Sequence, residues 1–199
     1  MSDKKLASKR IMLRDWEISD LVPYRFWNTG KHHLWMDYNG PYYAKMTQTE
    51  LDISIEKRTA RIKKSHWPNL RKSLVIANKA DNEFLGSVSW YWQSEETFWM
   101  SIGLVIYDDK NWGKGLGFEA LYLWIDYLFA HNHKLVRLDL RTWGGHIGMI
   151  KLAEKLGFRE EARFRKARIV ANEYHDSIGM GILREEWEAI KGKLFEKIY

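Results

Sequence analysis

Three runs of strand-forming residues follow one another in the first half of the chain, and the turns between them are short. The runs are Leu74 to Asn78, Phe84 to Gln93 and Phe98 to Tyr107. Ala80 to Asn82 forms the first turn, whose composition is typical of a β-hairpin. Strands joined this closely pair antiparallel, because a parallel connection needs about a dozen residues or more. The sequence therefore predicts an antiparallel sheet in this region.

The pattern changes after Tyr107, where helical periodicity alternates with strand-like runs. Thr47 and Glu50 also form a capping-box pattern that predicts the start of an earlier helix. The predicted helices are one capped by Ser19 or Asp20, Thr47 to about Lys64, Phe118 to Ala130, Ile147 to Leu156 and Arg184 to about Lys197. The remaining predicted strands are Lys9 to Arg14, Leu135 to Arg141, Glu161 to Val170 and Tyr174 to Leu183. We therefore predict an α+β fold with a central mixed, mostly antiparallel sheet flanked by helices.

Composition limits the possible classes of protein and site. The chain has 199 residues, of which 45% are hydrophobic and 29% are charged, which suits one large globular domain. Cysteine is absent, which excludes disulfides, thiolate metal sites and a cysteine nucleophile, and is consistent with a cytoplasmic location. The sequence has no long apolar run and no signal-peptide pattern, so no membrane association is expected.

Charge and histidine patterns give no sign of a nucleic-acid or metal partner. The net charge of +6 is mostly dispersed, and no known nucleic-acid-binding motif accompanies it. The two histidine clusters, His32-His33 and His131-Asn132-His133, lack the ligand spacing of a zinc site. We therefore predict neither a metal ion nor a nucleic-acid partner.

The segment from Trp112 to Gly117 combines three glycines and a lysine directly before a predicted helix. Glycines let the backbone approach a phosphate, and the start of a helix supplies unpaired N–H groups. A nucleotide P-loop would need Ser or Thr after Lys114, where this chain has Gly115. A dinucleotide-binding turn would need a different glycine spacing within a βαβ unit. A purely structural helix cap and a cradle for the pyrophosphate of coenzyme A remain.

Residues 98 to 158 resemble the central motifs of the GNAT superfamily of acetyltransferases. The resemblance rests on the strand Ile102 to Tyr107, the segment Trp112 to Ala120 and the later Lys155 to Phe158. Two distal segments, Tyr174 to Ser177 and Leu183 to Trp187, are similar to the RimJ/RimL-like, ribosomal-protein-acetylating branch. The resemblance covers residues 9–188, which implies a tail at 1–8, a GNAT-like domain at 9–188 and a helical extension at 189–199.

The resemblance implies an enzyme that moves the acetyl group of acetyl-coenzyme A onto a primary amine. The acceptor would be a small molecule, a protein N-terminus or a lysine. The sheet would be splayed at the cofactor cleft, near Leu140 to Trp143. The implied cofactor-binding residues are Leu104, Val105, Ile106, Trp112, Gly113, Lys114, Gly115, Leu116, Gly117, Phe118 and His146.

Four positions depart from the pattern of the family. One is Trp112, where members often have Gln or Arg, and it is expected to contribute mainly through its backbone. Ser101 stands where related sequences often have Glu, Ala153 where many have a Tyr that protonates the thiolate, and His146 where Asn is usual. The residue types expected for the general base and general acid are therefore missing. From the residues that remain, we take Glu96 as a candidate base and Tyr174 as a candidate acid.

These departures leave a second function open, a coenzyme A-binding sensor or scaffold without turnover. The region Trp90 to Trp92 also leaves alternatives open. Strand alternation separates Tyr91 from its two neighbours, and these aromatic residues could serve the core, a homodimer interface or an acceptor pocket.

Overall fold

In the computed structural model, residues 6–65 and 67–198 are described, and they form one eight-stranded sheet flanked by helices. The strands are β1 (Leu6–Ala7), β2 (Ile11–Arg14), β3 (Ser73–Asn78), β4 (Phe84–Ser94), β5 (Trp99–Ile106), β6 (Arg137–Trp143), β7 (Arg159–Val170) and β8 (Glu173–Leu183). The helices are α1 (Leu21–Asn28), α2 (Gln48–Lys64), α3 (Leu116–His131), α4 (Ile147–Lys155) and α5 (Arg184–Phe195). The strand order is β1-β2-β3-β4-β5-β6-β8-β7, and only β5 and β6 pair parallel. The predicted α+β fold is confirmed.

The larger apolar core lies between the sheet and α3. Alternate residues of the central strands, such as Met100, Ile102 and Leu138, belong to the same buried cluster as Leu121 and Trp124 of α3. Most residues of α3 are buried, because the helix is covered by the sheet on one side and by the α4 and α5 regions on the other. This burial fixes the start of α3 against the end of β5.

The opposite face of the sheet carries α1, α2 and a smaller aromatic core. Trp16, Tyr24, Phe84 and Tyr107 pack there with Leu51 of α2. The predicted capping box is present, since Glu50 N–H donates to Thr47 Oγ1 (3.2 Å) and Thr47 N–H donates to Glu50 Oε2 (2.8 Å). Asp20 occupies the position before α1 but makes no side-chain cap there. Its carboxylate instead binds the Arg14 guanidinium, at 2.7 and 2.8 Å.

Both ends of the chain contribute to the packed domain. Residues Leu6–Ala7, within the predicted tail, pair with β2, and residues 1–5 of that tail lie outside the described residues. Ile198, within the predicted C-terminal extension, is buried, and its carbonyl accepts a hydrogen bond from Lys9 N–H (2.8 Å). Among the described residues, no helix is long and apolar enough to cross a membrane.

A wedge opens between β5 and β6, and it positions the site. Their parallel ladder consists of two residue pairs, Met100 with Leu138 and Ser101 with Asp139. Beyond these pairs, among the described strands, β5 pairs only with β4 as far as Ile106, and β6 pairs only with β8 as far as Trp143. The facing edges of both strands are therefore left for another partner, as the predicted splay requires.

Candidate active site

The turn after β5 presents a row of unpaired backbone donors at the open end of the wedge. Within the described residues, the N–H groups of residues 113 to 117 donate no hydrogen bond, whereas Phe118 and Glu119 already bond back to Gly115. Gly113 and Gly115 have φ of 70° and 82°, a conformation that glycine adopts without strain. Beyond Gly113 the space is open, since an added Cβ would have no heavy atom within 4 Å. These residues fit a pyrophosphate, which accepts hydrogen bonds from several adjacent amides.

Gly117 lets the start of α3 lie close to the wedge. An added Cβ there would come within 3.2 Å of Leu152 of α4 and 3.3 Å of Leu104 of β5. A larger residue would push the helix away from both neighbours. The third glycine therefore serves packing, while the first two serve the conformation of the turn.

The buried carboxylate of Glu119 stabilises this turn through a network of hydrogen bonds. Glu119 is 2% exposed and accepts hydrogen bonds from Ser8 Oγ (2.5 Å) and from Arg10 Nε (2.6 Å). Arg10 in turn donates from Nη1 to the carbonyl of Lys114 (2.5 Å). The N-terminal segment thus holds the turn in place. Sequence analysis missed this network because Arg10 and Glu119 are 109 positions apart.

Trp112 connects the turn to the end of β5. Its indole N–H donates to the carbonyl of Ile106 (2.8 Å), and its ring packs edge-on against Tyr38 at 5.4 Å. Leu104 and Ile106 pack toward α3, whereas Val105 packs on the opposite face. The side chains of these three strand residues are packed on the two faces of the sheet. Their backbone N–H and C=O groups on the β6 side therefore face the wedge.

His146 lies on the other wall of the wedge, directly before α4. Burial lowers the pKa of its imidazole to about 4, so the ring is neutral at neutral pH. Thr142 Oγ1 lies 3.3 Å from its Nδ1. Tyr38 reaches both walls, since its ring lies 5.4 Å from that of Trp112 after β5 and 5.2 Å from that of His146 after β6. Its carbonyl also accepts the Trp143 indole N–H (3.1 Å). Tyr38 gave no signal in the sequence, because it comes from an irregular segment.

Comparison of the sequence with known protein families shows which family this chain belongs to. A family model described as "Acetyltransferase (GNAT) domain" matches residues 10–159. This chain belongs to the GNAT acetyltransferase family. The predicted class of enzyme, an acyltransferase, is thereby confirmed.

Individual relatives agree with this assignment. "SPbeta prophage-derived uncharacterized N-acetyltransferase YokL" of Bacillus subtilis is 26% identical over 117 residues, which are 59% of this chain and 65% of that protein. "Probable N-acetyltransferase YjcK" of the same organism is 27% identical over 147 residues, covering 74% and 77% respectively. The structure of spermidine N-acetyltransferase from Vibrio cholerae, in complex with CoA and spermine, has a TM-score of 0.70 at 19% identity and covers 89% of this chain and 98% of that chain. This last likeness supports the GNAT fold.

The two predicted catalytic residues lie apart from each other. Tyr174 lies on β8 opposite Ile169, in the part of the β7–β8 hairpin that extends past the end of β6, and is 65% exposed. Glu96 lies in the β4–β5 turn, at the amino end of β5. The eight residues of β5 span about 23 Å, so Glu96 is not brought to the phosphate turn. Hydrogen bonds from its own backbone N–H and from Ser94 lower the pKa of Glu96.

Two of the four positions that depart from the GNAT pattern, Ala153 and Ser101, are fully buried. Ala153 is fully buried in the main core. Ser101 is also fully buried, and its hydroxyl donates to Asp139 Oδ1 across the β5–β6 ladder. The other carboxylate oxygen of Asp139 accepts the Trp99 indole N–H (2.9 Å). A carboxylate therefore lies at the apex of the wedge, although it is supplied by β6.

The described residues contain no group of three or more His, Asp or Glu side chains arranged to hold a metal ion.

Proposed function

We propose that this protein transfers the acetyl group of acetyl-coenzyme A to a primary amine, either of a small molecule or of a protein N-terminus or lysine. The observation that carries the proposal is the row of unpaired N–H groups at residues 113 to 117 beside an open wedge in the sheet. This combination suits a long ligand with a pyrophosphate at one end and an amide-containing arm. Acetyl-coenzyme A supplies an activated thioester.

Each part of the cleft has a role in this proposal. The amides of residues 113 to 117 and the charge of Lys114 bind the pyrophosphate. The backbone of Leu104 to Ile106 binds the arm as an additional strand would, and an N–H of β5 stabilises the oxyanion that develops on the thioester carbonyl. His146 is neutral at neutral pH, so its ring carries no net charge toward the phosphates.

The acceptor would enter from the sheet face opposite α3, where Tyr42 and Tyr43 lie beside Arg168. The Arg168 guanidinium carbon is 4.4 Å from the centre of the Tyr42 ring. Arg141 lies on the same face, 5.9 Å from the ring of Trp99. Within the described residues neither arginine forms an ion pair. Arg168, which no carboxylate pairs within the described residues, disfavours a polyamine such as the spermine bound by the Vibrio cholerae enzyme.

The proposal is tested by measuring release of free thiol from acetyl-coenzyme A in the presence of single acceptors. The panel comprises small amines, amino acids, N-terminal peptides and spermidine, and we expect turnover with at least one acceptor other than spermidine. Binding of acetyl-coenzyme A without turnover on any acceptor would instead support the sensor or scaffold function. Absence of cofactor binding at millimolar concentration would contradict both.

Membership of the RimJ/RimL-like branch, a cytoplasmic location and a homodimer are finer predictions that accompany this proposal. The motifs at Tyr174 to Ser177 and Leu183 to Trp187 support the branch. Light scattering on the purified protein would test the homodimer directly.

Tyr174 is the candidate that would protonate the leaving thiolate. Tyr174→Phe removes only the hydroxyl, and because the side chain is 65% exposed, folding should be unaffected. If Tyr174 is the acid, turnover should fall at least about tenfold with little change in cofactor affinity. Turnover within about twofold of wild type would leave protonation to solvent, which is chemically reasonable because a thiol with a pKa near 8.5 is a fair leaving group.

A further inference from the structure

Asp139 lies at the last pair of the parallel ladder before β5 and β6 separate. Its neighbours Leu138 and Leu140 belong to the core under α3, so strand alternation directs Asp139 to the opposite face. This is the face from which the acceptor would enter. Ser101, its partner across the ladder, occupies the position where related GNAT sequences often carry a glutamate.

The surroundings of Asp139 contain both charges and polar groups. Trp99 and Ser101 on β5 donate to its two oxygens, and Tyr91 on β4 is paired with Ser101. Arg137 and Arg141 flank Asp139 on β6, and both lie over the ring of Trp99, at 5.0 and 5.9 Å. On the remaining side, Glu161 of β7 fills the space beside Gly181, the residue paired with Asp139, and is held in an ion pair with Arg137. Of these two carboxylates at the apex, Glu161 forms an ion pair with Arg137, whereas Asp139 forms no ion pair within the described residues.

We propose that Asp139 is the general base of this enzyme and takes the role that a β5 glutamate has in related sequences. The inference rests on the proposed acetyl transfer. Asp139 accepts one proton from the acceptor ammonium, directly or through one water molecule, and leaves a neutral amine. As the nitrogen lone pair forms the C–N bond to the thioester carbonyl carbon, the C–S bond breaks. The nitrogen then loses its second proton to solvent, and the leaving thiolate takes up one proton, from Tyr174 or from solvent.

The ionisation of Asp139 is consistent with this role. Burial raises the pKa of its carboxyl, and the hydrogen bonds from Ser101 and Trp99 oppose the rise only in part. A raised pKa means that the ionised form is less favourable in the folded chain than in the unfolded chain, so Asp139 lowers stability at neutral pH. Asp139 is 3% exposed, at the apex of the wedge, and a buried ionisable residue that decreases stability beside a binding cleft is a candidate for function.

The test is Asp139→Asn, which keeps the size of the side chain and removes the base. With an acceptor identified in the thiol-release panel, kcat/KM should fall at least about tenfold, while calorimetry shows unchanged affinity for acetyl-coenzyme A. The wild-type kcat/KM should decline as the pH falls through the raised pKa of Asp139, which lies above the ordinary Asp value near 3.9. The variant should not show this decline. With hydroxylamine as acceptor, which is largely neutral at the assay pH, the loss should be much smaller.

The melting temperature and the dependence of the rate loss on the acceptor distinguish a general base from a residue with a purely structural role. A structural role predicts that Asp139→Asn lowers the melting temperature and affects all acceptors equally, and that result would overturn the inference. The matched control is Asp126→Asn, a change to a half-buried aspartate on α3 that pairs with Lys191 and accepts the Trp187 indole N–H. The amide oxygen of Asn can still accept that hydrogen bond, so this variant should behave as wild type.

If the Asn variant fails to fold, a measurement on the wild-type protein still tests whether Asp139 is the base. The Trp99 indole N–H signal in NMR reports protonation of Asp139, and its midpoint should coincide with the midpoint of the pH–rate limb. Different midpoints would contradict the inference. A wild-type protein that turns over no acceptor would contradict the proposed acetyl transfer itself, whereas an active Asp139→Asn variant would contradict only the role of Asp139.

Discussion

Gly115→Val is expected to weaken acetyl-coenzyme A binding at least tenfold, about 1.4 kcal/mol. The φ of Gly115 is 82°, which a β-branched residue adopts only with strain. Its new Cβ would also lie 2.9 Å from Nη2 of Arg10, the residue that holds the Lys114 carbonyl. The turn must therefore change shape, which would displace the N–H groups of residues 113 to 117, none of which donates a hydrogen bond within the described residues. Isothermal titration calorimetry measures the loss directly.

The control for this variant is Gly192→Val, on the solvent side of α5. A Cβ at Gly192 would meet no other described part of the chain within 4 Å, apart from its own helix backbone, so the same change should leave affinity for acetyl-coenzyme A intact. If Gly115 were only a structural helix cap, Gly115→Val would lower the melting temperature and leave affinity unchanged in the folded fraction. Circular dichroism together with the calorimetry separates these two outcomes.

Glu119→Ala should lower the free energy of unfolding by about 3 kcal/mol, because it leaves a buried polar cluster without its acceptor. Glu119 accepts from Ser8 Oγ, Arg10 N–H and Arg10 Nε, and Ser8 is fully buried. For a chain of this length the melting temperature should fall by roughly 6 to 12 °C. Affinity for acetyl-coenzyme A should also fall, since Arg10 no longer has a fixed position from which to hold the turn.

Glu188→Ala is the matched control for this loss of stability. Glu188 pairs with Lys191 at 2.7 Å, but its side chain is 47% exposed, and such surface pairs contribute at most about 1 kcal/mol. Thermal and denaturant unfolding of both variants should therefore differ clearly. Equal, small effects would show that the Glu119 cluster does not brace the turn.

Local patterns predicted most of the elements and the cofactor turn. The Thr47–Glu50 capping box involves neighbouring residues, so sequence spacing was sufficient to predict it. The strand β1 was missed because two residues carry no periodicity. The expectation that Ser19 or Asp20 would cap α1 was wrong, because the Ser19 hydroxyl donates to Glu17 and the Asp20 carboxylate binds Arg14.

The sequence by itself determined the α+β class, the order of the elements and the glycine-rich turn, because each depends on periodicity or on backbone conformation within a few residues. Only the tertiary structure decided which side chains meet at the cleft. It placed Asp139 beside Ser101, 38 positions earlier, and Arg10 beside Glu119, 109 positions later. It also separated Glu96 from the phosphate turn by the length of β5. Contacts of this kind arise from strand register and helix packing, which no local pattern of residues encodes.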